Sequence, residues 1–341
     1  MKKNTPKKAA VIAAIVIGFL LLIVAVAFMC LHMVLNRIDK TPDGEVTRID
    51  PRDQFFDTDP VETDDNGSEA RDTLPVINPD DVTHETVKPI TNKKLINILL
   101  VGEDSDGTYG GRQRSDTMLL CSINPETKKV SVISFLRDIY VHIPGGYADN
   151  RLNTAYAFGG FPLLTETFSV NFGIITIDGC FEVNFEGFQT VIDILGGVDV
   201  KLTAAEAQIV EVGWEEKTYH LNGAAALSYV RIRKLDSDFG RTSRQRTVLN
   251  AIFQKFRNSD AKTLMNLFEK ILPYLSTNMT NTQIMQLASQ CIPMVTAMEL
   301  NTYCVPAQGS FYYASIRGMS VIVPDLGKIR TQLEHEYLPI N

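Results

Sequence analysis

Residues 96 to 144 read INILLVGEDSDGTYGGRQRSDTMLLCSINPETKKVSVISFLRDIYVHIP, and three apolar runs in this stretch predict β-strands. The predicted strands are Ile96–Val101, Met118–Ile123 and Val130–Phe135. Apolar strands of this kind are usually neighbours in one buried sheet. The stretch therefore predicts the centre of an α/β domain.

Charged side chains lie where each of these runs begins or ends: Asp104 and Asp106 after the first, Arg114 and Asp116 before the second, Arg137 and Asp138 after the third. Ligand sites gather at strand ends, and converging ends would bring carboxylates for a divalent cation beside an arginine for a phosphate. That combination indicates phosphoryl transfer. Each of these residues taken alone is equally compatible with a solvated turn. The prediction of a site therefore rests on their occurring together.

Composition narrows the possible functions. The 341 residues carry a net charge of −7 and a pI of about 5.4, which disfavours nucleic-acid binding. The five cysteines (Cys30, Cys121, Cys180, Cys291 and Cys304) form no CxxC pair and the five histidines are scattered, which argues against zinc. Spacing leaves open whether Cys291 and Cys304 form a disulfide.

The N-terminal third predicts a membrane anchor followed by a tether. Residues 1–8 are basic and precede an apolar run over residues 9–35, which as a helix would be ~40 Å long and could span a bilayer. The lysines should remain in the cytoplasm, so the rest of the chain is expected outside the cell membrane. Residues 36–92 are acidic and polar, and predict a flexible linker. Residues 93–341 are then a single extracytoplasmic domain.

Beyond the three strands, helical and strand patterns alternate without a repeat, which predicts a central mixed β-sheet flanked by helices. Helices are expected at 153–158, 162–171, 184–195, 221–232, 241–257, 280–298 and 325–337, and further strands at 173–183, 301–306 and 321–323. Pro293 should kink or end its helix. The helix over 241–257 is amphipathic, with an apolar stripe of Leu249, Ile252, Phe253 and Phe256.

The start of that amphipathic helix predicts an anion site. Arg241, Arg244 and Gln245 follow at spacings of three and four residues, so they project from one side of its first turns, just after Asp238. A helix N-terminus attracts anions, and the guanidinium fork suits a diphosphate. Arg231 and Arg233 precede this helix and could extend toward the same anion. Taken alone, this run of basic residues is also compatible with a solvated basic face of the helix.

Seven motifs in the chain resemble, in their order, those of the LytR-CpsA-Psr family of cell-envelope proteins. They are LLVGEDS, RSDTMLL, SVISFLRDIYVHIPG, RLNTAYAFGG, LGGV, LNGAAALSYVRIRK and DFGRTSRQR, and they cover residues 95 to 257 densely. The resemblance implies a membrane-bound phosphotransferase that moves a wall teichoic acid or capsule-like polymer from a polyprenyl-diphosphate carrier to peptidoglycan. The implied acceptor is the C6 hydroxyl of N-acetylmuramic acid.

The same resemblance implies roles for individual residues. Asp104 and Asp116 correspond to carboxylates that hold Mg²⁺ or Mn²⁺. The residues that correspond to the diphosphate site are Arg137, Arg151, Arg231, Arg233, Arg241, Arg244 and Gln245. Asp104, Asp116, Arg137 and Arg244 are the expected catalytic residues, with either aspartate a possible base. The family also implies a hydrophobic tunnel for the lipid, for which Phe158, Phe161, Phe168, Phe172, Phe185 and Phe188 are available.

Three positions depart from the family pattern: Asp106 replaces an arginine, Leu136 a proline and Arg151 a lysine. None of them removes an expected metal or diphosphate residue. Two other functions stay open, a non-catalytic polyprenyl-phosphate binder that regulates envelope assembly and a pyrophosphatase acting on the lipid donor. The polymer, the acceptor's fine structure and the oligomeric state are not determined by the sequence.

Overall fold

A mixed seven-stranded sheet is the centre of the fold. The computed structural model describes residues 35–36, 38–40, 74–82, 88–90, 94–103, 115–174, 176–232, 235 and 238–340. The sheet has the order β1-β10-β7-β2-β3-β4-β11. Its strands are β1 (Asp39–Lys40), β2 (Ile96–Glu103), β3 (Ser115–Asn124), β4 (Lys129–Phe135), β7 (Gly179–Val183), β10 (Ser276–Thr277) and β11 (Glu299–Val305). The three strands predicted at 96–135 are therefore confirmed, and they are adjacent.

Strand direction places several chain ends along one edge of this sheet. β2 is parallel to β7 and β4 is parallel to β11, whereas β3 runs antiparallel to both β2 and β4. The carboxyl ends of β2, β4, β7 and β11 therefore lie at the same edge as the start of β3. We call this the carboxyl edge of the sheet.

Three two-stranded units surround the main sheet: β5 (Tyr140–Val141) with β6 (Asn150–Arg151), β8 (Val198–Leu202) with β9 (Lys217–Leu221), and β12 (Phe311–Ile316) with β13 (Met319–Pro324). The helices are α1 (Leu152–Phe172), α2 (Phe185–Ile194), α3 (Ala204–Ile209), α4 (Gly223–Val230), α5 (Asp238–Arg257), α6 (Ala261–Ile271), α7 (Asn281–Cys291) and α8 (Leu326–Gln332).

Alternating side chains of the central strands bury both faces of the sheet. Leu99, Leu120 and Ile133 point to one face and belong to the main core with residues of α1 and α8. On the other face Ile98 packs with Ile284 of α7, and Ile123 packs with Met298. Each face is covered by helices, as expected for an α/β sheet.

Helix α1 is kinked at two consecutive glycines. Gly159 and Gly160 have non-helical dihedrals, and Gly160 has a φ of 62° that a side chain would disfavour. The two helices predicted at 153–158 and 162–171 are thus the two arms of this kinked element. Other predicted helices are confirmed with small shifts, and Pro293 begins a 3₁₀ segment directly after α7, as predicted.

Several elements were not predicted or were placed wrongly. The strand predicted at 173–183 is only Gly179–Val183, because the preceding residues form an irregular connection. β8, α3, β9, α6 and β12 were missed. The hairpin of β8 and β9 buries Val198, Val200 and Leu221 in a second core with Val248 of α5, apart from the main sheet.

Three short pieces of the segment predicted as a linker pack on the domain. Asp39–Lys40 pairs with β10, Val76 pairs with Ser315, and Ile90 pairs with Ile174. Leu35, the last residue of the predicted span, is fully buried beside Ile38, Leu272 and Ile284. Apolar side chains in an otherwise polar segment account for this docking. Residues 1–34, 37, 41–73, 83–87 and 91–92 lie outside the described ranges. The anchor and the tether therefore stay predictions for those residues. No helix within the described ranges is long and apolar enough to span a membrane.

None of the four described cysteines forms a disulfide, so Cys291 and Cys304 are not joined to each other. Cys291 instead lies in one cluster with Cys121 of β3, whereas Cys304 contacts Thr242 of α5. Burial, and secondarily the nearby Cys291, raises the pKa of the Cys121 thiol to about 12. A thiol of this kind is inert at neutral pH.

Candidate functional site

The carboxyl edge of the sheet holds a buried ion-pair network around Arg137, which follows β4. Arg137 Nη1 donates to Asp116 Oδ1 over 2.9 Å, and its Nε lies 3.4 Å from Asp138 Oδ2. The side chains of Arg137 and Asp116 are only 8% and 17% exposed. The predicted convergence of Asp116 and Arg137 is therefore confirmed.

A β-bulge places Asp116 in this network. Gly102 pairs with Thr117 and Glu103 pairs with Ser115, which leaves Asp116 as the extra residue of β3. A bulge interrupts the alternation of side chains and can turn one of them toward a site. The bulge therefore accounts for the orientation of Asp116 toward Arg137 at the strand end. The regular alternation of side chains along β3 would not by itself place Asp116 there.

Arg151 extends the network by one more charge. Its Nε lies 3.3 Å from Asp138 Oδ1, and its Nη2 donates to the carbonyl of Ser320 over 3.0 Å. Asp138 thus lies between two arginines, and Asp116, Arg137, Asp138 and Arg151 form a chain of alternating charges. We call these four residues the strand-end cluster. Charges buried to this degree are tolerated because each faces an opposite charge.

Asn153, in the first turn of α1, lies directly behind this cluster. Its backbone N–H donates to the carbonyl of Arg137 over 3.2 Å, and the residue is 1% exposed. Neither Oδ1 nor Nδ2 of its side chain has a hydrogen-bond partner within the part of the chain that the structure describes. A buried amide without partners is costly, which often indicates a functional group.

The first turns of α5 reach the same edge of the sheet. Thr242 Oγ1 lies 3.8 Å from Cys304 Sγ at the end of β11, and Val305 of that strand accepts from Leu136 N, one residue before Arg137. Phe239 stacks on Phe311 with ring centroids 5.5 Å apart and packs against the main core. The helix that carries Arg241 and Arg244 therefore begins beside the strand that carries Arg137.

Arg241 and Arg244 are 3% and 4% exposed. Arg244 Nε donates to Glu206 Oε1 over 2.8 Å and its Nη1 to the carbonyl of Ile232 over 3.1 Å. Gln245 is half-buried, and its Oε1 has no hydrogen-bond partner among the described residues. Arg241, Arg244, Gln245 and Glu206 constitute what we call the helix-start cluster.

Glu206 is fixed by the cap of α3. Its other oxygen, Oε2, accepts from the backbone N–H of Thr203 over 2.9 Å in a capping box. Burial by itself would raise the pKa of Glu206, but the hydrogen bonds from Thr203 and Arg244 outweigh it and hold the pKa below its ordinary value. Glu206 is therefore a carboxylate at neutral pH, and it fixes the orientation of Arg244.

The other predicted site residues are Arg231, which lies apart from both clusters, and four that fall outside the described residues. Arg231 is exposed at the end of α4, with its guanidinium 4.3 Å from the ring centroid of Phe185. Asp104, Asp106, Arg114 and Arg233 lie outside the described residues. Among the described residues there is no group of three or more His, Cys, Asp or Glu side chains that could hold a metal.

The phenylalanines proposed for a lipid tunnel divide into two groups. Phe158, Phe161, Phe168 and Phe172 belong to the main core, whereas Phe185 and Phe188 border the hairpin core. The Phe168 ring lies 4.7 Å from that of Phe135, two residues before Arg137. The first group therefore forms apolar packing that continues from the strand-end cluster.

Sequence reasoning missed three residues of the site. Asp138 is adjacent to Arg137 in the quoted motif, but no role was assigned to it. Asn153 could have been identified as the polar residue of the RLN motif that begins a helix. Glu206 gives no such signal, because only the fold brings its hairpin to α5.

Comparison with known proteins identifies close relatives of this architecture. The family model LytR_cpsA_psr matches residues 61–334. A Bacillus anthracis protein named polyisoprenyl-teichoic acid–peptidoglycan teichoic acid transferase TagU is 34% identical over 57% of this chain, and the match spans 64% of that relative's length. The Bacillus subtilis transferase TagV is 31% identical over 80% of this chain and 72% of its own.

Solved structures agree with this result. A structure described as TagT bound to LIIa-WTA has a TM-score of 0.58 and 27% identity, and the alignment covers 74% of this chain and 96% of that one. The crystal structure of B. subtilis TagV has a TM-score of 0.57 and 28% identity, with coverage of 73% and 100%. Because the family model covers most of the chain, the protein belongs to the LytR-CpsA-Psr family.

Proposed function

We propose that this protein is a phosphotransferase that moves an anionic glycopolymer from a polyprenyl-diphosphate carrier to a hydroxyl of peptidoglycan. The buried ion pair of Arg137 and Asp116, at the edge where α5 brings Arg241 and Arg244, is the observation that carries the proposal. The names of the relatives support it, since they describe transfer of teichoic acid from a polyisoprenyl carrier to peptidoglycan.

The arginines of both clusters would bind the donor diphosphate. A guanidinium has five N–H donors in a fixed fork, so Arg137 and Arg244 can keep their carboxylate partners and still donate to phosphate oxygens. The carboxylates hold each fork in one orientation before the donor arrives. Pre-oriented positive charge stabilises the charge that develops on the leaving polyprenyl phosphate, which is the main source of catalysis in phosphoryl transfer.

We propose that a divalent cation binds beside this arrangement. Asp116 is buried at the strand end, and Asp104, which follows β2 in sequence, is the second proposed ligand for Mg²⁺ or Mn²⁺. Mg²⁺ needs only one or two protein carboxylates because it keeps several waters. When bound, the cation would supply positive charge next to the diphosphate. Either aspartate is a candidate base for the acceptor hydroxyl, although a metal-bound carboxylate is the weaker base.

We also propose the cellular arrangement that the sequence predicts. Residues 9–35 would cross the cell membrane once with residues 1–8 in the cytoplasm, and the described domain would face the peptidoglycan of a Gram-positive-type envelope. The donor's lipid chain would then extend toward the bilayer, and the acceptor would approach from the opposite side.

Reconstitution of the full-length chain in lipid vesicles tests the function. The reaction would contain a polyprenyl-diphosphate-linked glycopolymer, peptidoglycan fragments and Mg²⁺. We expect a covalent polymer–peptidoglycan product and released polyprenyl phosphate. Donor cleavage that does not require the acceptor would indicate a pyrophosphatase. Donor binding without turnover would indicate a regulatory binder.

The variant Asp116→Ala tests the metal proposal in the same assay. We expect its residual turnover to lose its dependence on Mg²⁺ concentration. Glu299→Ala is the matched control, because it removes an exposed carboxylate at the opposite end of the sheet. An Asp116→Ala enzyme with the metal titration of the parent would refute the assignment.

A further inference from the structure

A second concave surface lies outside the two arginine clusters. It is a cleft of about 690 Å³ between the outer side of α5, strand β8 and the start of α6. This volume lies in the range of clefts that bind small organic ligands, ~300–1,000 Å³. Neither cluster contributes a residue to its lining. The donor chemistry described above therefore does not use this cleft.

The lining is rich in neutral hydrogen-bonding groups. The amides are Asn250, Gln254 and Asn258, and the hydroxyls are Thr247, Ser259 and Thr263. Asn250 and Gln254 are adjacent on α5, with Gln254 Nε2 3.5 Å from Asn250 Oδ1, and both are exposed. Amides offer donors and acceptors together, which matches a ligand with many hydroxyl and acetamido groups.

The charged groups of the cleft already have partners in the protein. Lys255 Nζ donates to the carbonyls of Leu195 and Gly196, over 2.9 and 3.2 Å. Lys201 Nζ lies 2.7 Å from Glu216 Oε1, and Asp199 Oδ1 lies 2.7 Å from His220 Nδ1. With its cations engaged, this surface favours a neutral polyol over a polyphosphate.

The cleft continues the helix face that begins in the helix-start cluster. Arg244, Thr247 and Ala251 are spaced by three and four residues, so they form one stripe along α5, and Asn258 directly follows the last helical residue, Arg257. Asn258 lies ~20 Å beyond Arg244 along the helix axis at 1.5 Å per residue. A chain molecule with one end at the arginines could therefore lie along this stripe.

We propose that this cleft binds the sugar residues of the peptidoglycan acceptor. The inference rests on the proposed transferase function, and it names where that reaction holds its second substrate. The diphosphate and the anionic polymer require the cationic clusters, whereas a glycan strand needs neutral donors and acceptors. A glycan strand bound in the cleft would have to extend along α5 toward its first turns to bring the reacting hydroxyl to the carboxyl edge of the sheet.

The test uses the full-length chain in detergent and short N-acetylglucosamine–N-acetylmuramic acid oligosaccharides, titrated calorimetrically without donor. The double variant Asn250→Ala, Gln254→Ala should bind these fragments about tenfold more weakly, since it loses at least two hydrogen bonds. Gln290→Ala, at an exposed glutamine of α7 outside the cleft, should bind like the parent.

Kinetics supply the second readout. The double variant should raise KM for the acceptor with kcat and donor KM unchanged, because the reacting groups are intact. Unchanged oligosaccharide affinity in the double variant, or a parent protein that binds no oligosaccharide at millimolar concentration, would overturn the cleft proposal. A parent that binds the oligosaccharide through these residues and forms no product would overturn the transferase function alone.

Discussion

The strand-end and helix-start clusters both hold an arginine in a fixed orientation, but the arrangement of its partners differs. Each holds a nearly buried arginine against a carboxylate, Arg137 against Asp116 and Arg244 against Glu206. In the strand-end cluster the charges alternate over four residues, so each arginine shares a carboxylate. In the helix-start cluster Arg244 contacts the carboxylate of Glu206 and the carbonyl of Ile232.

The origin of the partners also differs. Asp116 is 21 residues from Arg137 and comes from the neighbouring strand, whereas Glu206 is 38 residues from Arg244 and comes from a separate hairpin unit. The strand-end cluster is thus part of the sheet itself. The helix-start cluster is assembled only when the β8–β9 unit packs on α5.

The largest effect is expected from Arg137→Ala. This change removes the arginine that Asp116 and Asp138 share and leaves Asp138 paired with Arg151, which should lower the free energy of unfolding by ~3–5 kcal/mol. Transferase activity should fall at least ~10³-fold, as for other phosphoryl-transfer arginines. Urea unfolding and the reconstituted assay measure the two effects.

The double variant Arg137→Ala, Asp116→Asn separates charge from shape. It should recover part of the lost stability, because a neutral amide replaces the Asp116 carboxylate that Arg137 contacts in the parent protein. Transferase activity should stay absent. An Arg137→Ala protein with the unfolding free energy of the parent would show that the strand-end cluster is not energetically coupled.

The sequence predicts well what is local. Apolar runs identify β2, β3 and β4, since a strand buried on both faces reads as a continuous apolar segment. The positions of Asp116 and Arg137 follow from where those runs end. Helix α5 is predictable for a similar reason, because its apolar stripe repeats with helical spacing.

Features that depend on distant packing are not predictable in this way. The β8–β9 unit is short and alternates only Val198, Val200 and Leu202 with exposed residues. The sequence does not show that Glu206, at the third position of a six-residue helix, reaches Arg244. The docking of Leu35 and Ile38 likewise depends on a surface formed by residues more than two hundred positions later.

The variant Glu206→Gln tests the helix-start cluster. At pH 7 it should lower the free energy of unfolding by ~1.5–3 kcal/mol, the value of a hydrogen bond to a charged group. Because folding holds the pKa of Glu206 below 4.5, its contribution is present above that pH and is lost as the pH falls through the folded-state value. Urea unfolding at several pH values should show parent and variant converging below about pH 4.5.

Glu299→Gln, at an exposed position on β11, is the control and should leave the unfolding curve close to the parent at every pH. A constant difference between Glu206→Gln and the parent from pH 7 to pH 3 would contradict the role assigned to Glu206.

A smaller effect on stability, but an opposite sign, is expected at Asn153. Asn153→Leu replaces a buried amide that lacks partners, so the free energy of unfolding should stay equal or rise by ~1 kcal/mol. Donor binding should weaken about tenfold if this amide contacts the donor, equivalent to ~1.4 kcal/mol. Asn171→Leu is the control, because the Asn171 amide bonds His142 and Thr167 and its loss should destabilise. A destabilised Asn153→Leu protein would indicate a structural role instead.

The smallest effect is expected at Arg231, which lies outside both arginine clusters. Arg231→Ala removes an exposed guanidinium from the Phe185 ring, which should cost ~0.5–1 kcal/mol of stability. Lys217→Ala is the matched control, since Lys217 lies over Tyr219 at 5.1 Å from the ring centroid. Donor affinity should change less than about threefold in both variants, because an exposed charge outside a site contributes little. A tenfold loss confined to Arg231→Ala would instead mean that Arg231 leaves Phe185 to bind the diphosphate, which would add Arg231 to the donor site.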